Sequence, residues 1–161
     1  MRRHTRKAVV RTSGTTTGTS ITIGGIVVDF LVEAAESEGV ATVFECTVAA
    51  GAHVPPPHSH DGFDETVYGL EGVFTFVIDG ATHYIGPGES LCIRRGQVHE
   101  FINMGPEDGK FLSVATPGVF GPAYFLEFRD VLYAAPDGRP DDAALFAVMQ
   151  RHGLTPAPNR A

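Results

Sequence analysis

Between Thr19 and Thr116, apolar and polar positions alternate in short runs broken by glycine, proline and acidic residues, the pattern of antiparallel strands in a sandwich or barrel. Strands are predicted over 19–23, 26–34, 41–49, 65–70, 73–79, 82–86, 89–94, 97–103 and 110–116, ranges rich in β-branched and aromatic side chains. Asp79-Gly80 separates two of these runs and predicts a tight hairpin, because both residue types accept positive φ. Pro55-Pro56-Pro57 has no N–H to give to a ladder, so it reads as an extended connector.

After Pro117 the apolar spacing becomes helical, over 121–133 and 140–152, the second helix opening at Pro140-Asp141-Asp142 and stopping at Gly153. Leu145, Val148, Met149 and His152 share one face of it, expected to pack on the outside of the barrel. The fold class expected is all-β with two C-terminal α-helices. A single domain is expected over 18–153, its strand body at about 40–116 and its helical part at 120–153, with flexible ends over 1–17 and 154–161.

A chain of 161 residues is large enough to bury roughly 70% of the surface its unfolded form exposes. Its formal charge of −7 argues against nucleic acid and against a membrane surface as partner. The basic stretch from Arg2 to Lys7 reads as a solvated tail. No apolar run follows Arg2-Arg3 as a secretory signal would, and none approaches the roughly 20 residues needed to span a bilayer, so a soluble cytoplasmic protein is expected. Cys46 and Cys92 form neither a disulfide framework nor a CxxC pair, and both are expected as reduced thiols packed as small apolar groups.

The chemistry concentrates at His58-Ser59-His60. Residues at i and i+2 point the same way on an extended segment, so His58 and His60 can face one metal ion, and Glu65 and His99 would complete the site. Three imidazoles and one carboxylate leave coordination positions open, as a catalytic centre requires. His99 falls on the same strand face as Phe101 and Asn103. His4, His53, His83 and His152 fit surface or structural roles.

Two longer patterns frame these residues. Gly51, His58, His60, Glu65 and Gly72 make one, and Gly88, Arg94-Arg95-Gly96, His99 and Asn103 the other. Together they resemble the two motifs of the cupin superfamily, over roughly residues 40–116. The resemblance implies a small jelly-roll β-barrel binding one metal through His58, His60, Glu65 and His99. Two departures stand out: the first spacer is one residue longer than usual, and Arg94 replaces the common proline of the second motif. Among Asp61, Asp64 and Glu65, the frame to Gly72 favours Glu65, and Asp64 would face the opposite side of the strand.

Such a centre would hold a divalent transition metal (Fe, Mn, Ni, Co, Cu or Zn) and carry about one net positive charge, which favours an anionic or enolisable small-molecule substrate. Phe44, Phe74, Phe76, Phe101 and Phe111 sit at strand positions that can line an apolar pocket. The resemblance extends to single-domain quercetin dioxygenase-like proteins and implies a metal-dependent dioxygenase acting on a small aromatic or enolic compound, with Glu65 as the catalytic base. An isomerase or decarboxylase of a small oxo compound, or a non-catalytic binding domain, would use the same ligands. Strand character on both sides of Gly24-Gly25 leaves an edge that a second copy can cover, so a homodimer is expected.

Overall fold

The computed structural model describes residues 18–52, 56–135 and 140–157. The expected tail 1–17, His4, His53 and Pro55 lie outside these residues, as do 158–161.

Eleven strands and two helices follow one another along the chain: β1 (Ser20–Ile23), β2 (Ile26–Val32), β3 (Thr42–Val48), β4 (His58–His60), β5 (Asp64–Glu71), β6 (Phe74–Ile78), β7 (Ala81–Ile85), β8 (Ser90–Ile93), β9 (His99–Asn103), β10 (Gly109–Thr116), α1 (Pro122–Tyr133), α2 (Asp142–Arg151) and β11 (Leu154–Pro156). One sheet has the order β1-β2-β3-β10-β5-β8 and the other β11-β4-β9-β6-β7, with antiparallel pairing throughout. This is the expected jelly roll, built as two sheets that do not close into a continuous barrel.

Period-two burial shows which face meets the core. Thr42, Phe44, Cys46 and Val48 point inward from β3, and Gly109, Phe111, Ser113 and Ala115 from β10. Phe74, Phe76 and Ile78 answer them from the second sheet. The β6–β7 hairpin turns at Asp79 (φ 47°) and Gly80 (φ 90°), the left-handed pair that its sequence predicts. In the middle of β5, a Cβ at Gly69 would come within 2.1 Å of the Gly86 carbonyl oxygen, so only glycine fits there.

Two helices complete the core. α1 starts at Pro122 after Gly121, without a side-chain cap, and buries Tyr124 and Phe128. α2 is capped by Asp141, whose carboxylate accepts from the N–H groups of Ala143 (2.9 Å) and Ala144 (3.2 Å). Leu145, Val148 and Met149 are buried, as their shared face requires, but α2 packs on α1 and β11, not on the outer face of a barrel. His152, half-buried, lies 3.1 Å from Glu127 of α1.

Two expectations need correction. Leu154–Pro156, placed in a flexible end by its prolines, is a strand that pairs with β4, with Leu154 opposite His60 and Pro156 opposite His58. Pro156 is tolerated because β11 is an edge strand. Cys92 is exposed, since it sits on the outward side of β8, whereas Cys46 is buried as expected. Among the described residues no helix is long and apolar enough to cross a membrane.

Candidate metal centre

Three short segments bring the imidazoles together. His58 and His60 project from β4, and His58 is registered opposite His99 of β9. Each ring is 5% exposed or less, and one ligand atom from each of His58, His60 and His99 lies within 4.8 Å of the other two. Their ring centroids are 4.4 Å (His58–His99), 4.5 Å (His60–His99) and 5.1 Å (His58–His60) apart.

Backbone carbonyls orient two of the rings. His58 Nδ1 is 2.9 Å from the Pro56 carbonyl oxygen and His99 Nδ1 is 3.1 Å from that of Gln97. A carbonyl only accepts, so the tautomer that satisfies both contacts carries its proton on Nδ1 and leaves the Nε2 lone pair free. The proline run thus supplies, at Pro56, an acceptor for the first ligand. His60 is set differently: its ring stacks on Phe63 at 4.1 Å, and the turn after β8 ties to its backbone through Gly96 N–H to His60 O at 2.9 Å. Its Nδ1 has no hydrogen-bond partner.

Burial first, and then the neighbouring imidazoles, hold His58 down to about 3 and His60 down to about 2. The Pro56 contact opposes this shift at His58. Both are therefore neutral near pH 7, the form that ligates metals. A set of close, buried imidazoles is a donor set that fits a divalent transition ion.

Glu65 stands at the edge of this triad. Its Oε2 is 3.6 Å from His60 Nε2 and 4.0 Å from His99 Nε2, and its Oε1 accepts from the Ser113 hydroxyl. Asp64 faces away, as alternation requires, and binds Arg95 through the backbone N–H (2.9 Å) and the guanidinium (3.2 Å). The Arg95 hydrogen bonds hold its carboxyl below the usual range. Asn103, the last residue of the second motif, is structural: its amide donates to the carbonyls of Val48 and Glu107, each at 2.9 Å.

The triad opens into a cavity of about 680 Å³, counting its mouth. Phe44, Phe76, Phe101 and Phe111 line it, as do Cys46 and Glu65, while Phe74 packs against Phe76, Phe101 and Phe111 instead of lining the wall. Phe120, Tyr124, Phe125 and Phe128 come from α1 and the segment before it, and Leu154 from β11. Among the described residues that line the cavity there is no lysine or arginine. Local spacing marks neither Phe63 nor Tyr124 as part of the site. Ser113 had one signal, a hydroxyl at an inward position between Phe111 and Ala115.

Residues 44–115 match the family model described as Cupin domain. No curated protein matches the chain in sequence. Among solved structures, a predicted oxalate decarboxylase from Thermotoga maritima is similar at 26% identity and a TM-score of 0.60, over 68% of this chain and 99% of that one. A sugar phosphate isomerase from Silicibacter pomeroyi is similar at 26% identity and a TM-score of 0.51, and the match covers 57% of this chain and 59% of the isomerase. KdgF from Halomonas sp. is similar at 17% identity and a TM-score of 0.54, over 62% of this chain and 86% of that one. Two facing sheets, the paired motifs and the matched segment lead to one conclusion: the chain carries a cupin domain, and its fold is that of the cupin superfamily.

Proposed function

We propose that the protein is a metal-dependent dioxygenase acting on a small aromatic or enolic compound. The observation that carries this reading is the contrast inside one cavity: three buried imidazoles and a carboxylate at one end, aromatic walls elsewhere, and no cationic side chain among the described lining residues. His58, His60 and His99 would hold the ion, with Glu65 beside or on it. Bound there, a divalent transition metal would supply Lewis acidity and a meeting place for substrate oxygen and dioxygen.

The chain's own residues divide the remaining work. Glu65 Oε2, on the cavity side of the His60–His99 pair, takes the proton of a substrate hydroxyl. Ser113 holds Oε1 and so limits how the carboxylate can rotate. Phe76, Phe101 and Phe111 offer flat apolar surface to a ring, and α1 with Phe120 keeps water from that end.

Oxalate and sugar phosphates, the substrates named for two of the similar structures, carry more charge than these walls can balance. Decarboxylation or isomerisation of such compounds therefore fits this cavity less well. The test is oxygen uptake by protein loaded anaerobically with iron, manganese, nickel, cobalt or copper and then given flavonols, catechols or 1,3-diketones. Substrate-dependent uptake that disappears in His58→Ala is expected; no uptake with any pairing of metal and compound contradicts the proposal.

A further inference from the structure

Tyr124 is the polar group that the metal centre does not use. It sits in the first turn of α1, is 2% exposed, lines the cavity, and its hydroxyl has no hydrogen-bond partner. Four rings surround it: Phe120 at 5.0 Å, Phe125 at 4.9 Å, Phe128 at 5.6 Å and His152 at 5.8 Å. A phenol enclosed by rings loses its water partners and regains none from the protein, an arrangement retained where something else supplies the bond. Burial also raises its pKa, so the group stays a neutral donor.

Its position relative to the imidazoles is set by a run of rings. His60 stacks on Phe63 (4.1 Å), Phe63 on Phe120 (5.2 Å), and Phe120 meets Tyr124. The hydroxyl therefore belongs to the α1 side of the cavity, two rings removed from the metal ligands. The helix turn that carries it is the less firmly fastened of the two helix starts, since Gly121 offers no side-chain cap whereas Asp141 caps α2. Tyr124 itself is part of the cavity wall.

Resting on the dioxygenase reading for the class of compound, we propose that Tyr124 is a specificity-determining residue, whose hydroxyl bonds a second oxygen of the substrate remote from the metal-facing one. The preferred substrate is then two-ended: an enolic or phenolic oxygen at the imidazoles, a flat apolar body along the phenylalanines, and a further hydroxyl or carbonyl under α1. A compound lacking the second oxygen would still fit but leave Tyr124 unpartnered, which is how a buried polar group discriminates.

The experiment is anaerobic calorimetric titration of metal-loaded wild-type protein and Tyr124→Phe with flavonol and a set of congeners, each carrying one extra hydroxyl on the pendant ring. Wild type is expected to bind one congener about threefold to tenfold more tightly than flavonol, the size of one neutral hydrogen bond. Tyr124→Phe should lose that preference, bind flavonol within about twofold of wild type, and melt no lower than wild type. A preference that survives in Tyr124→Phe, no preference in wild type, or no binding of any flavonol would each overturn the assignment. Admitting oxygen afterwards separates the two ideas: discrimination without uptake sinks the oxygenase reading and leaves Tyr124 as a recognition residue. Uptake with catechols or diketones but no flavonol binding does the reverse.

Discussion

Ser113 donates its hydroxyl to Glu65 Oε1 across the β5–β10 pair, leaving Glu65 Oε2 turned toward His60 and His99. Ser113 is fully buried, whereas the Glu65 side chain is 14% exposed, so the Ser113 hydroxyl has no ready water to replace its carboxylate partner. Replacing Ser113 with Ala should destabilise the fold by about 1–3 kcal/mol, the cost of an unmet buried partner. It should also lower turnover more than substrate binding, because the carboxylate proposed as the base loses its orientation. Urea unfolding and a kcat-against-KM comparison check this, and Ser113→Thr should restore part of both. Equal losses in alanine and threonine variants would contradict it.

The C-terminal strand is expected to matter for the metal. β4 is registered with β9 at one pair, His58 opposite His99, but with β11 along its whole length. Leu154→Ala, at a side chain 1% exposed, should cost about 2–5 kcal/mol in urea unfolding. Ending the chain at Gly153 should weaken metal binding at least tenfold, in the range seen when supporting groups around a metal site are lost. Unchanged metal affinity in the truncated protein would remove β11 from the account.

What the sequence could and could not convey is visible at these positions. Strand spans, the Asp79-Gly80 hairpin and both helices were legible because each rests on local spacing or turn chemistry. The imidazole triad was legible because the i, i+2 pair His58 and His60 and the resemblance to the two cupin motifs single out the same three histidines. β11 was not, since Leu154-Thr155-Pro156 is too short to show a period and its role comes from a partner strand almost a hundred residues earlier. Ser113, Phe63 and Tyr124 escaped for the same reason: their meaning lies in contacts made across the sandwich. The Phe74 side chain shows the converse limit, because alternation placed it inward but could not tell core from cavity wall.

Acid should destabilise the metal-free protein well above the carboxylate range. Folding depresses the His58 pKa from 6.5 to about 3 and that of His60 from 6.5 to about 2, so below pH 6.5 the unfolded chain binds protons that the native state refuses. Stability is complete above pH 6.5 and falls as the pH drops toward 3, by up to about 1.4 kcal/mol per group and pH unit. Urea midpoints of metal-free protein at pH 7.5 and 5.5 check this. The midpoint should drop at the lower pH, and the drop should shrink in His58→Gln. Identical midpoints would contradict neutral, buried imidazoles.

Asp64 and Glu65 should behave as opposites despite being adjacent. Asp64 points to Arg95 at the surface, so Asp64→Asn should leave metal content and turnover within about twofold of wild type. Glu65→Gln keeps the shape and removes the carboxylate proposed as the base, and should lower turnover by about 10²-fold or more. A larger kinetic effect from Asp64→Asn than from Glu65→Gln would reverse the assignment.

The central claim is that His58, His60 and His99 grip one cation, and elemental analysis of protein purified without a metal-binding tag tests it most directly. About one transition-metal ion per chain is expected in wild type and in Asp64→Asn, with loss of the ion in His58→Ala, His60→Ala and His99→Ala. A wild-type protein that takes up no transition metal, or histidine variants that keep the wild-type amount, would contradict the account.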